Sequence, residues 1–247
     1  MQRRKAGARL RRLVLLALLA ILAGAVLQAQ SASLTFLGPL APRGAEIRAD
    51  AGPPKYPYTA LNPYGVNTFL EREVEDWKRE KTLQMMADAG IGWMKQLFPW
   101  TEIEPKRGRY WDDKYNQDSW EKYDRIVALA EKHGVRVIAR LDNVPEWARA
   151  DGSNQQTPPT DVEDYANYVA AFVQHYRGRV QYLQIWNEPN LKAEWGGRLD
   201  PAGYARLLCR AYTRAKEVDP NVVILSAPLA QTLEQGDRGL DELAYLQ

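Results

Sequence analysis

Residues 180–190 read Val-Gln-Tyr-Leu-Gln-Ile-Trp-Asn-Glu-Pro-Asn, and this stretch decides how the chain folds. Its first six residues alternate in the way that predicts a β-strand. Pro189 has no backbone N–H to donate to a sheet, so the strand has to end close to it. Asn187 and Glu188 are therefore left at the carboxyl end of a strand, which is the end where α/β barrels place their functional residues.

The segments on both sides of this stretch alternate between strand and helix. Apolar runs predict four further strands, at residues 64–70, 91–100, 135–142 and 221–228. Strands that alternate with helices imply crossover connections and a parallel sheet. The strand that ends in Asn-Glu-Pro is the fourth in this order. The sequence therefore predicts an α/β fold in which residues 61–247 form one domain.

Capping signals mark the intervening helices. Capping boxes over residues 118–121 and 160–163 open two of them, and Asp200 followed by Pro201 opens a third. Three glycines close the helices that precede the second, third and fourth strands, namely Gly90, Gly134 and Gly178. A short helical segment begins near residue 240.

Two motifs carry a resemblance to a known group of enzymes. The strand ending in Trp-Asn-Glu-Pro resembles the fourth strand of the clan A retaining glycoside hydrolases, which are TIM (β/α)8 barrels. Residues 98–110 follow the pattern Phe-x-Trp-x-x-Ile-Glu-Pro-x-x-Gly-x-Tyr, which is similar to a stretch in family 39, family 5-like and family 42-like members. The resemblance implies that Glu188 is the general acid/base and that Asn187 binds the 2-hydroxyl of the sugar.

The same resemblance places the catalytic nucleophile on a Glu at the end of the seventh strand. Only five βα units can be found in the sequence, whereas a complete barrel typically needs about 250 residues for itself. We therefore expect an amino-terminal fragment, truncated after about five βα units, which does not turn over glycosides on its own.

Several tryptophans are candidate sugar contacts because aromatic faces suit the C–H faces of pyranoses. Trp100 and Trp111 follow the second strand, and either is also compatible with packing in the core or rim. Trp147 follows the third strand on the expected active-site face. Trp195 lies in the loop after the fourth strand, where it either lines a subsite or belongs to an ordinary surface loop.

Two charged residues are further substrate-binding candidates. Lys95 stands where many members of the clan have an Arg that supports the catalytic carboxylates, and Lys lacks the bidentate fork of Arg. A solvent-facing Lys95 is the alternative. Asp142 ends the third strand, where it either contacts substrate or caps the following loop. Glu104 is expected to shape its loop.

Charge and composition limit the possible partners. The chain has 33 basic and 31 acidic residues, but six of the basic ones lie among residues 1–30, which contain no acid. The remainder, with 27 basic against 31 acidic residues, carries a net charge of −4. A mildly acidic body argues against a nucleic-acid partner. Metals and organic cofactors are not implied, and the expected partner is an oligo- or polysaccharide.

The amino-terminal region has the three-part pattern of a secretory signal peptide. Residues 1–30 contain a basic start, an apolar run and small residues, so we expect a signal peptide or an uncleaved membrane anchor. The Pro-rich residues 31–60 are predicted to be a linker. The folded part is then either secreted or held at the outer face of the plasma membrane.

The remaining reactive side chains are expected to be structural. Cys209 is the only cysteine and falls in a helical pattern, which predicts a buried, inert thiol. His133 and His175 lie late in helices, far from any strand end. No cluster of cysteine or histidine has metal-ligand spacing.

The resemblance implies hydrolysis of β-linked O-glycosidic bonds with β-xylosidase-like or β-glucanase-like activity. The alternative from another class is a non-catalytic carbohydrate-binding or cell-surface protein on a degenerate barrel. A doubly wound nucleotide-binding fold is excluded because no glycine-rich phosphate loop follows the first strand.

Overall fold

The computed structural model describes residues 62–247. The predicted signal peptide or anchor and the whole of the predicted linker lie outside the described residues. Within 62–247, none of the helices combines the length and the apolar content that crossing a bilayer requires.

Five parallel strands form one sheet, and each pairs with the next strand in chain order. A doubly wound fold would reverse this order at a switch point, and no reversal occurs here. The order is that of consecutive strands in a (β/α)8 barrel, which confirms the predicted fold class. The strands are β1 (Gly65–Thr68), β2 (Trp93–Pro99), β3 (Arg136–Asp142), β4 (Tyr182–Ile185) and β5 (Val223–Leu225).

A helix follows each of the first four strands, as predicted. Gly90, Gly134 and Gly178 all have positive φ angles and end the helical segments before β2, β3 and β4. A short helix, Glu242–Tyr245, follows β5. The long helices are α1 (Asp76–Asp88), α2 (Glu121–Lys132), α3 (Val162–His175) and α4 (Pro201–Val218).

The core lies between the sheet and these helices. Phe98 of β2 is fully buried, and its ring lies 5.3 Å from that of Tyr123 on α2 and 5.0 Å from that of Phe172 on α3. Successive side chains of a strand point to opposite faces of the sheet. Lys95 and Leu97 lie three positions and one position before Phe98 on β2, so they point to the opposite face, which is the inside of a barrel.

Two of the predicted helix caps are wrong. Asp161 rather than Thr160 caps α3, because its side chain accepts the N–H of Glu163 at 2.9 Å. Trp120 is the N-cap of α2 and makes no side-chain cap bond. The predicted cap of α4 is confirmed, since Asp200 Oδ1 accepts the N–H of Gly203 at 2.7 Å.

The prediction of a buried Cys209 is wrong, because the residue is exposed on α4. The apolar stripe of α4 faces the core through Leu207 and Ala211 instead. The structural interpretation of the histidines is confirmed for His175, whose ring stacks 4.3 Å from that of Trp120 and whose Nε2 lies 2.8 Å from Asp124 Oδ1.

Asn190 joins the end of the Asn-Glu-Pro-Asn turn to the segment that follows β5. It is fully buried, and its amide nitrogen donates to the carbonyls of Ala230 and Leu240 at 2.9 and 2.8 Å. Its side-chain oxygen accepts the N–H of Ala230 at 2.9 Å. One side chain therefore satisfies three backbone groups and fixes the loop that follows Glu188.

Replacing Asn190 by Ala leaves these three backbone groups without their partner. We expect Asn190→Ala to lower the free energy of unfolding by about 2–3 kcal/mol, because buried polar groups that lose a hydrogen bond are costly. Urea denaturation measures this change. Asn167→Ala, at an exposed position of α3, is the matched control and is expected to stay within about 0.5 kcal/mol of wild type. Equal stability of the two variants would contradict the proposed role of Asn190.

Candidate active site

The backbone turns sharply as it leaves β4. Trp186 and Glu188 have φ angles of 72° and 46°, values that non-glycine residues rarely adopt. Two backbone hydrogen bonds hold this turn between the neighbouring strands. The N–H of Trp186 donates to the carbonyl of Leu141 at 3.1 Å, and the N–H of Glu188 donates to the carbonyl of Pro228 at 3.0 Å. Glu188 is thus fixed at the carboxyl edge of the sheet.

A small recess opens beside Glu188 on the barrel-interior face of the sheet. Its volume is about 160 Å³, and Asn187 and Glu188 form one wall. Asn187 is buried and Glu188 is half-buried. Lys95 and Arg140 line the recess together with the apolar side chains of Phe69 and Leu97. The structure therefore brings Lys95, Asn187 and Glu188 together, as the sequence-based hypothesis requires.

Lys95 is half-buried in this recess rather than facing solvent. Burial lowers the pKa of the Lys95 ammonium, and the positive charge of Arg140 adds to this decrease. Glu188 and Asp142 act in the opposite direction on the same pKa because their negative charges favour the ammonium. Lys95 is therefore electrostatically coupled to the residue predicted to be the acid/base.

Arg140 is a site residue that the sequence interpretation missed. It lies two residues before Asp142 on β3, so the two side chains share the interior face. Its Nε donates to Asp142 Oδ2 at 2.5 Å. The sequence contained a signal for Arg140, because residues two positions apart on a strand, such as Arg140 and Asp142, point to the same face of the sheet.

Asp142 is almost completely buried under this arginine. Burial raises the pKa of its carboxyl, and the charge of Arg140 and the hydrogen bond from it partly offset the increase. Asp142 Oδ1 has no hydrogen-bond partner among residues 62–247. Hydrogen bonds therefore stabilise only one of the two oxygens of an ionised Asp142 carboxylate.

Glu194 is a further carboxyl near Glu188, in the loop after β4. Burial raises the pKa of Glu194, and the negative charges of Asp142 and Glu188 contribute in the same direction, while Arg140 lowers it. The backbone carbonyl of Glu194 accepts the indole N–H of Trp186 at 2.7 Å. The loop is therefore tied to the same strand end as Glu188.

Two of the tryptophans predicted to contact sugar are buried, so that prediction is wrong for them. Trp100 is 0% exposed, and its ring stacks 5.3 Å from that of Tyr168 on α3. Trp195 is 1% exposed and packs edge-on against Trp186 at 4.9 Å. A sugar has no access to either ring, because Tyr165 and Tyr168 of α3 pack against Trp100. Trp186 and Tyr204 pack against Trp195.

Trp147 and Trp111 are both partly exposed and remain predicted contacts. The guanidinium of Arg107 lies 4.7 Å from the centre of the Trp147 ring, so one face of that ring is occupied. Trp147 Nε1 also donates to the carbonyl of Glu104 at 3.0 Å. Trp111 belongs to a two-residue strand that pairs with Gln117–Asp118 in a hairpin that the sequence did not predict.

Glu104 shapes its loop, as expected. Its two carboxylate oxygens accept the indole N–H of Trp100 at 2.7 Å and the backbone N–H of Gly108 at 2.6 Å. Burial raises the pKa of this carboxyl, and the two hydrogen bonds offset only part of the increase.

Among residues 62–247 there is no group of three or more His, Cys, Asp or Glu side chains arranged to hold a metal ion.

The burial of Asp142 predicts how the free energy of unfolding depends on pH. Its folded-state pKa is raised above the ordinary value of 3.8, so the folded protein binds a proton here more tightly than the unfolded chain. The stability from this proton is fully present below about pH 3.8 and is lost as the pH rises through the raised pKa. The free energy of unfolding of wild type minus that of Asp142→Asn should therefore fall as the pH rises above about 3.8.

Urea denaturation of both proteins across this pH range checks the difference. Asp151→Asn, at an exposed loop position, is the control variant and is measured over the same pH range. A difference that increases with pH would mean that Arg140, rather than burial, dominates the titration of Asp142.

Comparison with known proteins is consistent with the geometry. The family model described as Cellulase (glycosyl hydrolase family 5) matches residues 54–228. The curated protein β-glucosidase 47 of Arabidopsis thaliana is 26% identical over 118 residues, which are 47% of this chain and 21% of that protein.

Solved structures of glycoside hydrolases share the fold. A family 39 glycoside hydrolase from Bacteroides cellulosilyticus WH2 superposes with a TM-score of 0.51 at 24% identity, over 65% of this chain and 31% of its own. A GH39 β-xylosidase from Caulobacter crescentus gives a TM-score of 0.52 at 20% identity, over 66% of this chain and 40% of its own.

The chain thus spans less than half the length of each of these proteins. The family match, in contrast, spans well over half of the chain. It includes all five strands of the sheet, with Lys95 on β2 and Arg140 on β3, and the turn that carries Asn187 and Glu188. The chain belongs to the cellulase family, glycosyl hydrolase family 5.

Proposed function

We propose that the full-length protein hydrolyses O-glycosidic bonds in β-linked saccharides by a retaining mechanism, with Glu188 as the general acid/base. The observation that carries this proposal is the fixed position of Glu188. It stands at the carboxyl end of the fourth strand of a family 5 barrel, at the mouth of a recess that Asn187, Lys95 and Arg140 line.

Each residue at the recess has a chemical task in this proposal. Glu188 donates its proton to the leaving-group oxygen and then removes a proton from the water that completes hydrolysis. The side chain of Asn187 makes no hydrogen bond within the described part of the chain, so its amide is available to the 2-hydroxyl of the sugar. That bond strengthens as the transition state forms.

A retaining mechanism needs a second carboxylate about 5–5.5 Å from the first, which attacks the anomeric carbon. Asp142 is bound to Arg140, and Glu194 belongs to the same loop as Glu188, so we assign neither as the nucleophile. We propose that the nucleophile comes from a later strand of the barrel. The chain covers only 31% of the Bacteroides structure and 21% of the Arabidopsis relative, which supports this proposal.

β-Xylosidase-like and β-glucanase-like activities are the two that the resemblance of the sequence motifs suggests. One of the structural neighbours from Caulobacter crescentus is named as a β-xylosidase. A panel of aryl β-glycosides assayed with the full-length protein distinguishes these activities.

Glu188→Gln in the full-length protein tests the acid/base assignment. We expect kcat/KM to fall about 10²- to 10⁴-fold on substrates with poor leaving groups, because these depend on protonation. Aryl glycosides with good leaving groups should lose much less in the glycosylation step. The measurement is kcat/KM against the pKa of the leaving group.

Glu131→Gln is the matched control, since Glu131 is exposed near the end of α2, where it pairs with Arg179 at 2.8 Å. An equal loss on all substrates for Glu188→Gln would contradict the acid/base role. Binding of saccharides by a full-length protein that hydrolyses none of them would favour the non-catalytic alternative.

We further propose that the protein is exported, on the basis of the signal pattern in residues 1–30. Expression of the full-length gene with its own leader should give a product outside the cytoplasm. Amino-terminal sequencing of that product should show cleavage near Ala32, after the apolar run. A membrane-bound product that begins at residue 1 would indicate an anchor, and a product that stays in the cytoplasm would rule out export.

A further inference from the structure

Gln96 is a polar side chain on the buried face of β2. Its neighbours on that face, Met94 and Phe98, are apolar and fully buried, and Gln96 itself is 0% exposed. Burying an amide costs free energy unless its hydrogen-bonding groups are satisfied. An apolar side chain would fill this layer without that cost, so the partners of Gln96 indicate what the amide does.

All four hydrogen-bonding positions of the Gln96 amide are filled. Its oxygen accepts the hydroxyl of Thr68 at 2.9 Å and the N–H of Leu70 at 3.1 Å. Its nitrogen donates to Glu71 Oε2 at 2.5 Å and to the carbonyl of Leu97 at 2.9 Å. Three of the four bonds therefore hold the end of β1 and the loop that follows it.

Arg79 of α1 holds the same loop from the other side. The residue is 4% exposed, and its Nε donates to the carbonyl of Leu70 at 3.0 Å. Its terminal nitrogens donate to the carbonyl of Glu73 and to the carboxylate of Asp76. Satisfied buried networks of this kind rigidify the segments that they join. All of these contacts lie within the first two βα units, so they do not depend on strands that come later in the chain.

Phe69 lies between two of the residues that Gln96 holds, Thr68 and Leu70. Because Thr68 turns its hydroxyl towards Gln96 on the helix side of the sheet, the next side chain points to the barrel interior. Phe69 accordingly lies at the recess beside Glu188. The hydrogen bonds of Gln96 therefore fix an aromatic ring next to the predicted acid/base.

The ring of Phe69 suits contact with a sugar, because aromatic faces pack against the C–H faces of pyranoses. Phe69 is the only aromatic side chain among the described residues that line the recess. The guanidinium of Arg72 lies 4.9 Å from the centre of the ring and covers one of its faces. A sugar therefore contacts the opposite face.

We propose that Phe69 contacts the sugar ring bound in the recess and that Gln96 is the positioning residue that holds Phe69 in place. The inference rests on the proposed glycosidase function and adds a substrate contact to that site. Gln96 and Arg79 order the loop before a sugar arrives, so binding does not have to order it. Phe69 contacts the C–H face of the sugar, and the hydroxyls are left to Asn187 and the other polar groups of the site.

Variants of Phe69 in the full-length protein test the sugar contact. The substrate is whichever of 4-nitrophenyl β-D-glucoside and β-D-xyloside the wild type hydrolyses faster. For Phe69→Leu we expect KM to rise about tenfold and kcat to stay within about twofold, because the ring contacts the sugar in the ground state and the transition state alike. Phe69→Tyr keeps the ring face, and its KM should stay within about threefold of wild type.

Phe172→Leu is the matched control, because it makes the same substitution at a fully buried position of α3. It should lower the thermal unfolding temperature and leave KM unchanged.

A double-mutant cycle tests the role of Gln96. Gln96→Leu removes the three bonds to the loop, and its KM should rise about tenfold, as for Phe69→Leu. If Gln96 acts through Phe69, the double variant should have a KM within about twofold of the larger single-variant value, whereas two independent effects would give roughly a 100-fold increase. Thr68→Val, which removes one bond to Gln96 and keeps a branched side chain, takes the place of Gln96→Leu if that variant does not fold.

Two outcomes of these assays overturn the proposal. One is a Phe69→Leu variant whose KM is unchanged while its thermal unfolding temperature falls, because the ring then packs inside the complete barrel and not against a sugar. The other is a double variant whose KM rises by the product of the two single effects, because Gln96 then acts independently of Phe69.

A binding measurement separates this proposal from the proposed function. If the full-length protein hydrolyses none of the aryl glycosides, the hydrolase proposal fails, but the sugar contact is still testable. Ligand-observed NMR with free cellobiose and xylobiose then compares wild type with Phe69→Leu. Weaker binding by Phe69→Leu supports the contact, and equal binding by the two proteins, or binding by neither, overturns it.

Discussion

The structure of the site depends on how the carboxyl end of β4 is held between its two neighbours. The N–H of Trp186 donates to Leu141 on β3, and the N–H of Glu188 donates to Pro228, just after β5. These two bonds lie on opposite sides of Asn187. The chain between them has almost no freedom, and the left-handed conformations at Trp186 and Glu188 are the result. The backbone of Glu188 is therefore positioned by the sheet itself and not by a mobile loop.

The parallel sheet explains why the other charged groups meet there. Side chains alternate between the two faces of each strand, so Lys95, Arg140 and Asp142 are on the interior face, while Phe98 and Leu141 are under the helices. The register of β2 and β3 places Lys95 opposite Ile138, diagonally next to Arg140. The side chains of Lys95 and Arg140 become neighbours in this way, and Asp142 forms an ion pair with Arg140. The meeting of these charged groups follows from strand register and needs no special loop.

Much of this arrangement could be predicted from the sequence. Pro189 ends a strand, glycines end helices, and strands and helices alternate, so the fold class and the position of Glu188 follow from local rules. Other features depend on contacts that local patterns do not encode. Trp100 is buried because Tyr165 and Tyr168, more than sixty positions later in the chain, cover it. Cys209 shows a similar limit, since the exact rotation of a helix decides whether a residue beside the apolar stripe is exposed.

The buried tryptophans still contribute to the site, although they do not contact sugar. Trp186 adopts a left-handed conformation, which costs about 1–3 kcal/mol. Its indole is 1% exposed and packs against Tyr165 and Trp195. Burying a tryptophan removes about 150–250 Å² from water, worth about 4–6 kcal/mol as an upper bound. The stabilisation from packing therefore exceeds the cost of the strained backbone at Trp186. Because the indole ring is fixed on the helix side of the sheet, the chain has to turn before Asn187 and Glu188 can reach the recess. The packing of Trp186 against Tyr165 and Trp195 stabilises the turn, and the turn places Glu188 at the recess.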